Sequence, residues 1–469
     1  MLCKNILTSY QLENYKTFRF LKFIYSHPKF WILGGDRQKI VWTKKAISIA
    51  IITLIIAIIK LVLYILLYYN NISTIVDILY FCIWLLAFPI YMIIANYLLF
   101  PIDFILKRKI IKTAEKKLKK LKKIEKLKVI GITGSYGKTS QKEILETILK
   151  ENFKVLSTTG NKNTPLGISE IIINELNETH DIFIVEMGAY IKGDIKDLCD
   201  IVEPEIGILT GITLQHLERF KNINNIIKTK FELIESLDEK GLAILSTSNE
   251  NVKKGLEERI KKLKVKNIKE INNPEKINYL DNLAGISFDY DKNTIETKLL
   301  AEHSASQIIT AYEIAKYLKM PTQKILNGIK NINYIKHRLE LIYNPNSNLY
   351  VIDDSFNGNI EGVKSTIKLL ENIKGHRKLY LTPGLVELGK ETFSIHHEIG
   401  KMLANVIDKA LLIENPATKS IFNGLKSAGF DTKNIILYKS TNDAHNDLKN
   451  ILESNDVIIF QNDWTDNYF

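Results

Sequence analysis

The chain has 469 residues and a formal net charge of +12, with 25% charged and 46% hydrophobic residues. Residues 1–128 carry a net charge of +16, so residues 129–469 carry a net −4. Nucleic-acid binding by this larger part is disfavoured, because the basic residues lie beside apolar segments and not in it. The cysteines Cys3, Cys82 and Cys199 show no metal or redox spacing, and this pattern suits a reducing compartment.

Two apolar stretches, residues 46–69 and 75–100, are each long enough to cross a bilayer, which takes about 20 helical residues. Only residues 70–74 separate them, so they are predicted to form a transmembrane helical hairpin over residues 46–103. The connecting loop is uncharged, whereas both outer flanks are rich in Lys and Arg. The positive-inside rule therefore predicts a multi-pass protein of the cytoplasmic membrane whose remaining chain lies in the cytoplasm.

Charged residues in and around the hairpin allow alternatives. Lys60 and Asp77 fall within the spans, and we interpret them as a cation facing a neighbouring helix and an anion near the loop; a functional polar site is the other option. Residues 1–45 are predicted to be a basic cytoplasmic segment. Residues 104–128 alternate lysines with apolar residues at helical spacing, which predicts an amphipathic helix on anionic headgroups; a solvated spacer is the alternative.

A short apolar run, a turn containing Gly134 and Gly137, and a helix beginning at Lys138 follow the basic stretch. A strand, a glycine turn and a helix N-terminus form a phosphate cradle, because free N–H groups and the helix dipole favour negative charge. Lys138 is predicted to reach the β- and γ-phosphates and Thr139 to bind Mg²⁺. The strict phosphate-loop pattern is not met, since its first glycine would fall at Ile132, so a chance turn is the competing interpretation.

Strands and helices alternate after this loop, with strands predicted at 153–158, 181–187, 206–211 and 241–246 and helices at 166–176 and 222–236. Polar residues lie at the carboxyl ends of several strands. Asn161 and Asn163 follow the strand at 153–158, Glu186 ends the strand at 181–187, and His216 follows the strand at 206–211. Lys230 lies on the helix at 222–236. Ligands gather at the carboxyl ends of parallel strands. A carboxylate, an imidazole and a phosphate-loop hydroxyl at one edge can hold Mg²⁺ beside a nucleotide.

Two α/β domains are predicted, a central one over residues 129–334 and a smaller Rossmann-like one over residues 335–469. Residues 255–300 show only weak β signals, interpreted as an extension of the first sheet. The strands predicted for the second domain are 349–353, 378–382, 409–413, 434–438 and 456–460, with helices at 360–373, 394–407, 416–428 and 441–453.

These motifs resemble the Mur ligases over about residues 127–469, and within them the branch that adds D-Ala-D-Ala to a UDP-linked tripeptide. Residues 133–140 are similar to the family's ATP loop, residues 160–167 to its substrate segment, and residues 353–359 to its DDSYNAN signature. Arg338 resembles the family's hinge arginine. The resemblance implies ATP contacts by Gly134, Ser135, Gly137, Lys138, Thr139, Ser140, His303, Arg338, Asp354 and Asn357, and substrate contacts by Asn161, Asn163, Glu387 and His396.

The same resemblance implies a metal site and a mechanism. It assigns metal ligation to Thr139, Glu186, His216 and Lys230, with two Mg²⁺ ions and a carbamylated Lys230. It assigns catalytic roles to Lys138, Lys230, His216 and Arg338. A carboxylate would attack the γ-phosphate of ATP to give an acyl phosphate and ADP, and an amine would then displace phosphate.

The chain departs from the family pattern in three places. Ser304 and Gln307 replace two asparagines of the family's adenine-contact motif, residues 461–464 replace its late Lys-Gly-Ser-Arg segment, and a membrane hairpin stands in place of the domain that holds the UDP-sugar. The expected fold is α/β, with a central P-loop ATPase domain, a C-terminal Rossmann-like domain and a preceding transmembrane hairpin.

The expected function is a membrane-anchored, ATP-dependent amide ligase in peptidoglycan or cell-envelope precursor synthesis. Its expected substrates are a carboxylate-bearing peptide or lipid-linked precursor and an amino acid or dipeptide. A poly-γ-glutamate-synthase-like ligase and a nucleotide-binding membrane scaffold without ligase activity are the alternatives.

Overall fold

The structure, a computed structural model, describes residues 2–13, 15–26, 40–68, 80, 83–84, 87–125, 127–160, 162–213, 220–356, 358–386 and 388–462. The chain divides into two compact units, Met1–Lys109 and Ile110–Phe469.

The first unit is helical, with α1 Leu2–Leu12, α2 Thr17–Ser26, α3 Lys44–Tyr68 and α4 Phe88–Glu125, of which α4 continues into the second unit. By length and composition, the segments Lys44–Leu66 and Phe88–Ile124 could each cross a membrane. Helix α3 coincides with the first predicted span. The predicted loop at 70–74 and Asp77 lie outside the described residues.

Residues 1–45 contain more structure than the predicted basic segment. Helices α1 and α2 pack with α3 and the first part of α4 around one apolar core formed by Ile6, Leu7, Tyr10, Phe20, Ile24, Ile40, Ala46, Ile49, Ala57, Phe88, Tyr91, Met92 and Ala95. The amide of Asn96 in α4 donates to Tyr10 Oη at 3.0 Å and to the Tyr15 carbonyl at 3.3 Å. The N-terminal helices are therefore joined to α4 by both apolar and polar contacts.

Two cations of α3 have partners on α4. Lys45 Nζ lies 2.6 Å from the Asp103 carboxylate, and Lys60 Nζ lies 5.5 Å from the centroid of the Tyr91 ring. A cation above an aromatic face is electrostatically favourable. Lys60 therefore faces a neighbouring helix, as the preferred interpretation of the sequence predicted.

From Ile110 onward, the basic second half of α4 is part of the second unit. Ala114, Leu118 and Leu121 are buried in the apolar core of that unit, and Lys119 forms a 3.1 Å ion pair with Glu203. Residues at this spacing form one stripe of a helix. The prediction that this stripe lies on lipid headgroups is wrong for these three residues, because protein covers them.

The central domain is a parallel sheet of order β2-β3-β1-β4-β5-β6. Its strands are β1 Lys128–Thr133, β2 Val155–Ser157, β3 Ile182–Glu186, β4 Ile206–Leu209, β5 Leu242–Ser246 and β6 Asn267–Ile271. Its helices are α5 Lys138–Leu149, α6 Pro165–Asn174, α7 Asp194–Val202, α8 Ile223–Ser236, α9 Glu250–Glu257, α10 His303–Tyr317 and α11 Thr322–Lys330. Separate apolar clusters cover the two faces of the sheet, as expected for a parallel sheet.

A small antiparallel sheet precedes α10, formed by β7 Asn278–Leu280, β8 Gly285–Tyr290 and β9 Asn293–Thr297. Sequence analysis predicted only an extension of the main sheet here. Strand β6 does extend that sheet, whereas β7–β9 form a sheet of their own.

The C-terminal domain has a six-stranded sheet of order β10-β11-β15-β12-β13-β14, in which only β10 is antiparallel to its neighbour. Its strands are β10 Glu340–Asn344, β11 Leu349–Asp354, β12 Lys378–Thr382, β13 Lys409–Ile413, β14 Ile435–Tyr438 and β15 Val457–Gln461. Its helices are α12 Ile360–Asn372, α13 Thr392–Leu403, α14 Pro416–Ser427 and α15 Thr441–Ile451. The Rossmann-like prediction is confirmed, and β10 is the strand that it missed.

Candidate active site

The turn between β1 and α5 has the backbone of an anion cradle. Gly134 and Gly137 have φ values of +156° and +75°, which are disfavoured for residues with a Cβ. Lys138 Nζ folds back to donate to the Gly134 carbonyl at 2.8 Å. The lysine side chain thus lies over the turn. The N–H groups of this turn lie at the helix N-terminus, where negative charge is stabilised.

Gly137 also lies against a side chain of α10, which a Cβ at this position would have to displace. A Cβ at this position would lie 2.9 Å from Gln307 Nε2, which donates to the Gly137 carbonyl at 3.2 Å. Gln141 Nε2 in turn donates to the Gln307 carbonyl at 3.1 Å. Helix α10 therefore supports the phosphate loop through one glutamine side chain.

Substitution Gly137→Ala is expected to weaken binding of an ATP analogue at least about 10-fold, because the new Cβ displaces Gln307 and the turn with it. Gly375→Ala is the matched control: its φ is +76° and no atom lies within 4 Å of a Cβ built there. Isothermal titration calorimetry on both variants measures the difference. Equal affinity in the two would show that crowding by Gln307 is unimportant.

Glu186, at the carboxyl end of β3, is surrounded by polar groups. Thr139 Oγ1 donates to its carboxylate at 3.1 Å and Asn163 Nδ2 at 3.3 Å, while Lys142 Nζ lies 3.6 Å away. Lys142 also donates to the Thr158 carbonyl at 2.7 Å. A hydroxyl and a buried carboxylate beside a phosphate cradle are the oxygen donors that Mg²⁺ prefers. These side chains fit a magnesium ion.

Lys230 is buried on α8, with 3% of its surface exposed. Within the described residues its Nζ has neither a hydrogen bond nor an ion pair. Burial lowers the pKa of Lys230 well below its usual value, and the charge of Lys138 lowers it further, whereas Asp194 and Glu232 act in the opposite direction. Burial therefore favours the uncharged form of the Lys230 amine, which lies close enough to Lys138 to sense its charge.

His303 begins α10 and touches the C-terminal domain. Its Nδ1 lies 3.0 Å from Ser365 Oγ on α12, and the preceding Glu302 pairs with Lys368 at 2.5 Å. Burial lowers the pKa of His303 to about 4, and the Arg338 charge contributes. The imidazole is thus neutral at this junction between the two domains.

Acid is expected to destabilise the native protein through His303. The unfolded state binds the proton near pH 6.5 and the folded state only near pH 4, so stability is lost as the pH falls through that window. The full loss is about 3 kcal/mol. His303→Gln should lose less stability than the wild type between pH 7 and pH 4.5 in thermal melts. Parallel losses in the two proteins would contradict the assignment.

Arg338 lies on the connection between the domains. Its Nη1 donates to the Phe356 carbonyl at 2.6 Å, and its guanidinium lies 5.0 Å from the Phe356 ring centroid. Burial lowers its pKa, and Asp354, Glu186 and Glu143 oppose this. Carboxylates of both domains therefore act on this one guanidinium.

Asp354, at the end of β11, is buried beside β15. Gln461 Nε2 donates to its carboxylate at 2.6 Å, and the Asn462 N–H donates to its carbonyl at 3.0 Å. Burial raises the pKa of Asp354 to about 6, while the bond from Gln461 and the charge of Arg338 lower it. A carboxylate with this pKa is mostly ionised at neutral pH and can accept hydrogen bonds.

Comparison with known proteins identifies the fold and the family. Residues 132–315 match the Mur ligase middle domain, and residues 337–461 match the Mur ligase glutamate ligase domain. Together the two matches cover well over half of the chain. The chain belongs to the Mur ligase family. The expected fold and family are therefore confirmed.

Relatives of this Mur ligase include two UDP-N-acetylmuramoyl-tripeptide–D-alanyl-D-alanine ligases of Buchnera aphidicola. The enzyme of subspecies Baizongia pistaciae is 31% identical, over a match that covers 58% of this chain and 60% of that enzyme. The enzyme of subspecies Acyrthosiphon pisum is 30% identical, over a match that covers 63% of this chain and 66% of that enzyme. The chain thus spans slightly less than two thirds of these relatives. A crystal structure of MurF ligase from Thermotoga maritima in complex with ADP has the same fold, with a TM-score of 0.64, 22% identity and coverage of 76% of this chain and 80% of that one.

The structure brings most of the predicted Mur ligase site together. Thr139 and Asn163 both donate hydrogen bonds to Glu186, and the charges of Glu186 and Arg338 act on Lys138. Ser135 Oγ donates to the Thr213 carbonyl at 3.2 Å, and Ser140 lies in the first turn of α5. Four predicted residues lie outside the described residues, and their roles stay predictions: Asn161, His216, Asn357 and Glu387.

His396 is placed differently from the other predicted substrate contacts. It is fully buried; Nε2 accepts the Leu385 N–H at 2.8 Å and Nδ1 donates to the Thr392 carbonyl at 2.5 Å. Both ring nitrogens are therefore used within the protein. The substrate contact stays a prediction, and in this conformation the ring instead fixes the loop after β12.

Two residues near the site were missed from sequence. Lys142 follows Lys138 by four residues, so both occupy one face of α5, and this spacing is the signal that could have revealed it. Gln461 ends a strand beside Asp354, which only the sheet order shows. Buried acceptor atoms without a partner remain on Gln307 (Oε1) and Gln461 (Oε1) in the described part. They can accept hydrogen bonds from bound ligands.

Proposed function

We propose that this Mur ligase joins a carboxylate to an amine with hydrolysis of ATP to ADP and phosphate. The observation that carries the proposal is the buried amine of Lys230, which lies within electrostatic reach of Lys138 and of Glu186. A phosphate loop alone would serve any nucleotide-binding protein. A lysine that is buried near it, with no partner among the described residues, is costly and needs a chemical reason.

Lys230 supports this chemistry as a carbamate. A neutral amine attacks CO2, an N–C bond forms and a proton leaves, so the side chain becomes an anion with two oxygen donors. Burial lowers the pKa of Lys230 and so favours the reactive, uncharged form of the amine. Carbamylated Lys230 and His216 would hold a second Mg²⁺, beside a first on Thr139 and Glu186. Bound Mg²⁺ supplies charge neutralisation between the triphosphate and the carboxylate substrate.

The protein's own groups bind and orient the reactants. The turn at Gly134 and Gly137 holds the phosphates, and Lys138 neutralises charge that develops during phosphoryl transfer. Arg338 brings a second cation from the domain connection, so the full charge complement exists when the C-terminal domain is packed on the central one. Asp354 would accept a hydrogen bond from the ribose.

The substrates proposed are a peptide precursor of the cell envelope, UDP-linked or lipid-linked, and an amino acid or dipeptide such as D-Ala-D-Ala. The names of the relatives support this choice. Helices α3 and α4 anchor the enzyme in the cytoplasmic membrane, and their basic flanks place the catalytic domains in the cytoplasm.

A substrate screen tests the proposal. Detergent-solubilised protein is incubated with ATP, Mg²⁺, UDP-linked or lipid-linked muramoyl peptides and candidate amines, and mass spectrometry detects the product. We expect ADP release that requires both substrates and equals the amide formed. ATP binding without an amide product from any precursor would overturn the ligase proposal and favour a nucleotide-binding scaffold.

A further inference from the structure

Helix α2 presents an apolar stripe that no described part of the first unit covers. Phe18, Leu21 and Tyr25 are 81%, 45% and 90% exposed, and their spacing places them on one side of the helix. Phe20 and Ile24 on the other side are buried. The helix is thus anchored by its inner face and leaves three large apolar side chains facing outward.

The turn between α1 and α2 lies beside the apolar part of α4. Tyr10 and Tyr15 accept hydrogen bonds from Asn96, which precedes Asp103 by seven residues. At 1.5 Å per residue, Asn96 lies about 10 Å from Asp103 along the helix. The Tyr15 ring also lies 4.8 Å from Lys45 Nζ, which pairs with Asp103, so the turn occupies the stretch between this ion pair and Asn96, at the polar end of the two spans.

The surroundings of α2 have the composition of a membrane interface. Lys16 and Lys22 are exposed beside the stripe. Trp42 is 55% exposed just before α3, and the backbone of Val41 is held by Gln11 at 2.7 and 2.9 Å. Aromatic and basic side chains concentrate where headgroups meet acyl chains. The end of α1 and the entry to α3 thus lie at one level.

We propose that α1 and α2 form an interfacial hairpin in the cytoplasmic leaflet, with Phe18, Leu21 and Tyr25 inserted between lipids and Lys16 and Lys22 at anionic headgroups. This inference rests on the membrane anchoring proposed above. A lipid surface is favoured over a protein partner because Phe20 and Ile24 anchor α2 in one apolar core with α3 and α4, the two helices that are long and apolar enough to cross a membrane. The hairpin sets the level at which the anchor sits.

Site-directed labelling of the full chain in lipid vesicles tests the inference. Cys3, Cys82 and Cys199 are replaced by alanine, and single cysteines at positions 18, 21 or 25 carry an environment-sensitive fluorophore. Position 55 on α3, exposed and about 15 Å along the helix from Lys45, is the control for a location deep in the bilayer, and exposed position 330 is the control for water. Lipids brominated at shallow or deep acyl positions quench each label.

We expect labels at 18, 21 and 25 to be quenched most by shallow bromines, the label at 55 by deep ones, and the label at 330 by neither. Labels at 18, 21 and 25 that behave like the label at 330, while the label at 55 is quenched, would overturn the hairpin proposal alone. A label at 55 that also behaves like the label at 330 would overturn the anchoring itself. Protection of the three labels from aqueous iodide without lipid quenching would assign the stripe to a protein surface and overturn the proposal.

Discussion

Lys138→Ala is expected to reduce ligation about 10³-fold. The lysine amine lies over the phosphate turn, bonded to the Gly134 carbonyl, and in the reaction proposed above it faces the charge that builds on the transferred phosphoryl group. Alanine leaves that charge uncompensated in a partly buried site. ADP release and amide formation, measured together at saturating ATP, give the loss in kcat.

The matched control for this experiment is Lys150→Ala at the end of the same helix. Lys150 forms only an exposed ion pair with Glu146 one turn away, which contributes little to stability. Its activity should stay within a factor of two of the wild type. A Lys138→Ala enzyme that retains a tenth of wild-type kcat would remove this lysine from the mechanism.

Lys230→Ala is expected to reduce ligation at least about 10²-fold, and Lys230→Arg should show a similar loss. Arginine stays protonated in proteins and cannot form a carbamate. In ¹³C NMR, wild-type protein in ¹³C-bicarbonate should show a carbamate signal that Lys230→Ala lacks. A wild-type spectrum without that signal, or full activity of Lys230→Arg, would contradict the carbamate.

Lys230 is expected to lower the stability of the native state relative to an apolar residue at this position. Lys230→Met removes a buried amine that has no partner among the described residues, and is expected to raise the free energy of unfolding by about 1–3 kcal/mol while activity is lost. In the wild type the pKa of Lys230 is lower in the folded protein than in the unfolded chain, so stability rises with pH toward 10.5. That rise should shrink in the methionine variant. Thermal melts across this pH range compare the two proteins.

Local sequence was sufficient for the phosphate loop, because Gly134, Gly137, Lys138 and Thr139 are fixed by a turn and a helix start. Glu186 could be placed with them because the carboxyl ends of parallel strands share one edge. The full list of site residues required the family resemblance. No local pattern distinguishes a catalytic lysine on a helix from an ordinary one.

Contacts between distant segments were beyond the sequence. An amphipathic stripe shows that a helix face is covered but not by what, so the face with Leu118 was assigned to lipid although the central domain covers it. The helices α1 and α2 were missed because they are too short to show a sustained helical repeat of apolar residues. Gln461 and Asp354 are 107 residues apart and meet only because their strands are neighbours.

The connection at Arg338 has a mechanical consequence. His337 and Leu339, on either side, have φ values of 60° and 50°, and such left-handed geometry costs side-chain-bearing residues about 1–2 kcal/mol each. Bonds from His337 to Asp353 and Glu340 offset that cost. Both bonds lie within the C-terminal domain, since Glu340 and Asp353 belong to its paired strands β10 and β11. The strained backbone beside Arg338 is therefore held by that domain alone, and we expect the arginine to travel with the C-terminal domain in any movement between the two domains.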